Sequence, residues 1–287
     1  MKILNNLLAI LGLAAAAALL GTGCASTEQL NHPTTSATLW QQHAAEFEAL
    51  ALQTYQAAES HLQELHTDSS WSAAVEQTDP NYSMLPAAVI LDVDETVLSN
   101  AAFQARMIKQ NRSFDLPAWN NWVMEAAADA ISGAVSFTRS AAEKGIAVYY
   151  VTNREFRVEE GTRRNLKKLG FPLGGNADRI LSKNERSEWT SDKSSRRAHL
   201  AEDYRIIMLF GDDLNDFVSA KDISMKQRSK LVDQYRTRWG HSWYVLPNPV
   251  YGSWEQALYG FDNSLEPEKI EKIKRDKLNT KQHETDR

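Results

Sequence analysis

Residues 87–96 read AAVILDVDET and residues 206–217 read IIMLFGDDLNDF. Each stretch is a short, uninterrupted apolar run that ends abruptly in carboxylates. A run with no polar alternation is what a strand covered on both faces looks like. Two further runs share the form: Ile146–Val151 ends in Thr152 and Asn153, and Trp243–Leu246 ends in Pro247 and Asn248. Between them lie stretches with helical spacing, at Gly133–Lys144, Glu155–Leu169 and Ser194–Glu202. Strands alternating with helices predict an α/β fold, a doubly wound and mainly parallel sheet. Ligands of such sheets bind in the crevice at the carboxyl ends of the strands. Asp92, Asp94, Thr152, Asn153, Asp212, Asp213 and Asp216 are therefore expected to converge there.

Two acidic clusters at one sheet edge repel each other unless a cation sits among them. Oxygen ligands with no histidine or cysteine nearby suit Mg²⁺, which takes few carboxylates and commonly a substrate phosphate as well. A calcium loop is the rival, but Val97 stands where an EF-hand needs glycine. A solvated acidic loop explains either cluster alone and explains the pair poorly, since each directly follows a buried strand.

The rest of the chain frames that centre. It has 287 residues, 43% of them hydrophobic and 24% charged, which supports a full core and excludes disorder, collagen and coiled coil. A net charge of −5 argues against binding to nucleic acid polymers through bulk charge. Residues 1–23 have a basic start at Lys2, an uncharged apolar run and a small-residue end, the layout of a secretory signal peptide. The single cysteine, Cys24, follows Gly21-Thr22-Gly23 and resembles a lipobox cysteine, although Gly21 stands where Leu is usual. The rival reading is an uncleaved membrane anchor. Residues 24–38 read as a polar tether, and Ala37–His66 as one long amphipathic helix. Residues 39–260 form the expected catalytic domain, and 261–287 a charged helix or tail. The helix Ala37–His66 and the stretch Leu116–Ala127 are expected to build a small cap.

Asp-x-Asp-x-Thr after a buried strand resembles the first signature of the haloacid dehalogenase (HAD) superfamily. VILDVDETVLSN with IMLFGDDLNDF resembles the paired signature of the bacterial class C nonspecific acid phosphatases, from about Trp40 to about Gly260. That likeness implies a HAD-like core with a helical cap and a metal-dependent acid phosphatase acting on phosphomonoesters. It implies Asp92 as the nucleophile that becomes a phosphoaspartate, and Asp94 as the acid that protonates the leaving group, then the base that activates water. It implies Asp92, the backbone carbonyl of Asp94, and Asp212 as Mg²⁺ ligands, with Asp216 behind them. Thr152 and Asn153 would hold phosphate oxygens through a hydroxyl and a backbone N–H, and Lys193 would neutralise the phosphoaspartate, with Lys183 as a rival. Two departures stand out: Asp213, where Asn or Thr is usual, is expected to add a charge beside the metal, and Phe103, where Tyr is usual, lacks a hydroxyl. The likeness also implies an outer-membrane lipoprotein anchored only through its lipid, and relatives that form dimers.

Trp119, Trp122, Tyr251 and Trp254 lie outside the strand ends. By resemblance, Trp119 and Tyr251 match aromatics that clamp flat substrates such as nucleoside monophosphates and aryl phosphates; the alternative is that these rings are simply core. A histidine acid phosphatase needs Arg-His-Gly-x-Arg, which is absent from the sequence, and His241 reads as structural. Dehalogenase chemistry lacks a second aspartate where Asp94 stands. The alternative from another class is a non-catalytic ligand-binding or adhesin lipoprotein on the same scaffold.

Overall fold

A computed structural model describes residues 32–281. The leader, Cys24 and the final residues lie outside the described part. The unit that carries the site starts at Thr34.

Helix α1 (Thr35–His43) and helix α2 (Ala45–Thr67) replace the single helix expected from the sequence. The break falls at Ala44, which is extended at φ −77° and ψ 123°. It lets α1 turn aside, so that Thr38 and Gln41 are buried and Gln42 Nε2 donates to the Ala101 carbonyl at 3.3 Å. Alanine is the best helix former, so nothing local in the sequence marks the break. The helix also begins inside the stretch expected to be tether.

Strand β1 (Ala87–Leu91) is followed by β2 (Leu98–Ser99), α3 (Ala101–Lys109), α4 (Leu116–Glu125), β3 (Asp129–Ala130), α5 (Ala134–Glu143) and β4 (Ala147–Glu155). Then come α6 (Glu159–Leu169), β5 (Ile180–Lys183), α7 (Ser194–Asp203), β6 (Arg205–Gly211), α8 (Met225–Gln234), β7 (Trp243–Val245), α9 (Ser253–Gln256) and α10 (Pro267–Asp276). The main sheet has the order β5-β4-β1-β6-β7, and every pairing in it is parallel. Strand β5, with Ser182 and Lys183 in its four residues, carries too little apolar signal to be seen in the sequence.

β1 sits at the centre, and its side chains alternate between two cores. Ala87, Val89 and Leu91 join the core that includes α2 and α5, whereas Ala88 and Ile90 join the core of α7 and residues 214–220. Helix α2 is thus a layer of the sandwich and not part of the cap. Tyr55 of α2 stacks on Phe210 of β6 at 5.5 Å and donates its hydroxyl to the Thr96 carbonyl at 2.7 Å. The cap consists of α3 and α4, inserted between β2 and β3, which pair antiparallel. Asp115 starts α4 by accepting from the Ala118 N–H at 2.9 Å, with Pro117 in the first turn. Among the described residues no helix is long and apolar enough to cross a membrane.

Candidate active site

β1 and β6 end side by side, and the Asp92 N–H donates to the Phe210 carbonyl at 3.0 Å. One parallel pairing therefore brings together the two acidic clusters, far apart in sequence. Gly211 makes this possible. A Cβ there would lie 2.2 Å from Asp216 Cβ and 2.2 Å from its carboxylate, so only glycine lets Asp216 fold back over the strand end. Asp92, Asp212 and Asp216 each place a carboxylate oxygen within 4.8 Å of the others. Asp216, expected behind the metal ligands, brings a carboxylate oxygen into the same group.

Lys193, the residue before α7, is buried and bonds to both Asp92 and Asp216, the latter at 2.5 Å. It is Lys193, and not Lys183 at the end of β5, that reaches the centre. Burial pushes Asp92 up to about 7, with Asp216 and Asp94 adding to the rise and Lys193 opposing it. Asp212 is also held well above the ordinary carboxylate range, by desolvation first and then by Asp92 and Asp216. Burial alone would lower Lys193, but Asp216 and Asp92 outweigh it and keep the ammonium protonated. A set of three oxygen donors with mutually repelling charges fits a hard divalent cation.

Asp94 follows the strand on a tight turn. Glu95 takes the left-handed conformation at φ 55° and donates its N–H to the Leu98 carbonyl at 2.8 Å. The Asp94 carboxylate accepts from Arg154 Nε and Asn100 Nδ2 at 2.9 Å each, and from the Thr152 hydroxyl at 3.4 Å. Glu95 is fully buried and accepts from the Asn100 N–H at 2.8 Å, from Asn100 Nδ2 at 3.1 Å and from the Tyr251 hydroxyl. Burial pushes Glu95 up to about 7, with Asp94 adding to the rise.

Thr152 lies in β4, which runs four residues beyond the apolar stretch that predicted it. Its hydroxyl accepts from the Arg154 N–H at 3.0 Å. The side chain of Asn153 is committed elsewhere, accepting from Arg196 at 2.6 Å and donating to the Ser191 carbonyl at 3.0 Å.

Asp213 corrects an expectation. Its carboxylate does not join the acidic cluster but is bonded by Ser253, from the N–H at 2.8 Å and from the hydroxyl at 2.6 Å, with Arg228 at 3.6 Å. With Asn248 donating to Asp212 at 2.7 Å and Tyr251 to Glu95, the segment 248–253 is strapped across both acidic loops.

Of the four aromatics, Trp122 is core: it is buried and donates to Asn100 Oδ1 at 2.9 Å. Trp119 is partly exposed, packed edge-on to Phe103 at 5.1 Å, with the Arg154 guanidinium over its ring at 5.5 Å. Phe103, without the hydroxyl, is buried among Phe114, Trp119 and Trp122. Tyr251 is partly exposed, and Trp254 donates to its carbonyl at 3.2 Å.

The sequence reading missed Arg154, Asn100 and the buried role of Glu95. The signal for Arg154 was period two: in an extended β4, Thr152 and Arg154 share a face and Asn153 takes the other.

A family model described as HAD superfamily, subfamily IIIB (acid phosphatase), matches residues 14–254. The class C acid phosphatase of Bacillus anthracis superposes with a TM-score of 0.75 at 30% identity, covering 88% of this chain and 98% of that one. The same enzyme with tungstate bound gives 0.76 at 29% identity, covering 86% and 97%. Acid phosphatase 1 of Solanum lycopersicum is 29% identical over 163 residues, and the match spans 56% of this chain and 57% of the tomato protein.

Proposed function

The chain belongs to the acid phosphatase family of HAD subfamily IIIB, and from that premise we propose that it hydrolyses phosphomonoesters through a phosphoaspartate on Asp92, with Mg²⁺ as its metal. The observation that carries this reading is the meeting of Asp92, Lys193, Asp212 and Asp216 at one strand edge, with Asp94 and Thr152 beside them. A non-catalytic binding role gives no reason to bury that many like charges together.

Asp92, Asp212 and the Asp94 carbonyl would hold the metal, with Asp216 close by. When bound, the ion offsets negative charge on the phosphate and on the carboxylates. The chain's own groups do the rest. Lys193 screens Asp92 and steadies the charge that collects on the phosphoryl oxygens. The Thr152 hydroxyl and the Asn153 N–H orient two of those oxygens. Asp92 attacks phosphorus, and the bond to the ester oxygen breaks as Asp94 delivers a proton to it. In the second half Asp94 takes a proton from water, whose oxygen displaces Asp92 and frees phosphate. One carboxyl serves both halves because they are mirror images.

Purified protein should release phosphate from p-nitrophenyl phosphate and nucleoside monophosphates at mildly acid pH. No release from either class would sink the reading.

The substrate preference proposed for the site is aromatic. Trp119 and Tyr251 flank the acidic loops with partly exposed rings, and a π-face stacks on any base for roughly 1–3 kcal/mol. Trp119→Ala and Tyr251→Ala are expected to raise KM for nucleotides and aryl phosphates by about tenfold, within that stacking range, and to leave a small alkyl phosphate little changed. Equal effects on both substrate types would show that the rings are structural.

We also propose anchoring of the mature chain to the bacterial outer membrane by lipid on Cys24. Cys24→Ser should abolish incorporation of labelled fatty acid and release the protein from membranes. Unchanged fractionation with membranes would favour an uncleaved anchor.

A further inference from the structure

Arg154 is a deeply enclosed charge beside the site that the proposed reaction leaves without a task. Its side chain is 1% exposed, and every polar arm is used: Nε and Nη2 on Asp94 Oδ1 at 2.9 Å, Nη2 also on Asn100 Oδ1 at 3.2 Å, and Nη1 on the Thr162 hydroxyl at 3.2 Å. Trp119 covers the guanidinium plane at 5.5 Å. Burying a guanidinium is costly unless it is fully bonded, and here its principal charged partner is the residue that must handle the proton.

The bonds are one-sided. Arg154 donates only to Oδ1 of Asp94, and Asn100 Nδ2 donates to the same oxygen at 2.9 Å. The Asn100 amide is fixed in that orientation because its own oxygen accepts from Trp122 Nε1 at 2.9 Å and from Arg154. Guanidinium and amide N–H groups have no lone pair to accept with, so a proton on Oδ1 would face donors alone. Among the described residues, Oδ2 has only the Thr152 hydroxyl, at 3.4 Å. We infer that Arg154 is a positioning residue for the acid–base step: with Asn100 it saturates Oδ1 of Asp94, so that Oδ2 alone carries the proton to the leaving oxygen and later takes one from water. The inference rests on the proposed role of Asp94. The proton budget is closed, since Oδ2 loses one proton when the ester bond breaks and regains one when water attacks.

An acid held in the wrong rotamer, or offering the wrong oxygen, fails most for leaving groups that need protonation. The test therefore compares kcat/KM, which reports the phosphorylation step, for p-nitrophenyl phosphate and for an alkyl phosphate or nucleotide. General acid catalysis is worth about 10²–10⁴-fold. Arg154→Met should lower kcat/KM for the alkyl or nucleotide ester at least about tenfold more than for the nitrophenyl ester. Arg154→Lys, which keeps a buried cation but not the fork, should recover part of the difference; it carries the same comparison if Arg154→Met does not fold. In an Asp94→Asn background either Arg154 change should leave the ratio between the two substrates where Asp94→Asn has already put it, since residues acting as one unit are non-additive. If Asp94→Asn changes the ratio and the Arg154 variants do not, the inference is overturned and the role of Asp94 stands. If Asp94→Asn itself leaves the ratio unchanged, the role of Asp94 falls and the inference with it.

Discussion

Asp92→Asn is expected to abolish turnover of every phosphomonoester, with a loss of roughly 10⁴-fold or more, the order seen when a covalent nucleophile is removed. The replacement keeps the shape and still offers an oxygen to Lys193, so the phosphate cradle of Thr152 and Lys193 should survive. Binding of phosphate or an oxyanion analogue should persist while acid-quenched enzyme shows no phosphoryl label. The same change should make the metal-free protein more stable. Asp92 is buried and pushed up to about 7 even with Lys193 against it, which means that the fold tolerates the ionised carboxylate poorly. Removing that charge relieves Asp212 and Asp216 as well, since Asp92 helps to raise Asp212. A site that stores like charges gives up stability for function. Residual turnover with a labelled intermediate, or a clear fall in the melting temperature of the chelated variant, would contradict this account of Asp92.

The core of this arrangement was readable because it rests on backbone periodicity. β1, β4, β6 and β7 each announce themselves as unbroken apolar runs, and in a parallel sheet the polar residues that end such runs must meet. Asp92, Thr152 and Asp212 needed nothing more. What stayed hidden depends on where side chains turn after the strand ends. Asp213 is beside Asp212 in sequence, but the 3₁₀ turn at Leu214–Asp216 uses it as a cap and sends its carboxylate to Ser253 and Arg228. Arg154 was hidden for a different reason. An arginine after an apolar run reads as a solvated end, and only the extension of β4 to Glu155 turns it inward beneath Trp119. Helix α2 carries the helical pattern of a cap or of a sheet-covering layer equally well. Its placement is decided by Tyr55 meeting Phe210 and Phe137, a long-range contact that no local pattern contains.

Chelation with EDTA should abolish hydrolysis, and Mg²⁺ should restore it; it should also change how stability depends on pH. In the metal-free fold Asp92 and Glu95 are pushed up to about 7, and Asp212 is raised too. The unfolded chain loses those protons near pH 4, at the ordinary carboxylate values. Between about pH 4 and pH 7 the folded state therefore binds more protons than the unfolded state, and its stability must fall as pH rises through that window. Exposed carboxylates with lowered pKa values, such as Asp262, act in the opposite direction but are screened by solvent. A divalent cation binds the deprotonated carboxylates, so its stabilising effect should grow with pH and be larger at pH 7.5 than at pH 5. Melting temperatures with EDTA and with Mg²⁺ at several pH values measure both effects. The Asp92→Asn variant isolates the source, because one of the raised groups is gone and the fall between pH 4 and 7 should be shallower. Full activity after chelation would remove the metal from the reaction. A chelated protein that grew steadily more stable up to pH 7.5 would mean that these carboxylates do not repel one another as their burial requires. If Mg²⁺ stabilised Asp92→Asn as strongly as the parent protein, Asp92 would not be among its ligands, and Asp212 and Asp216 would have to hold the ion without the nucleophile.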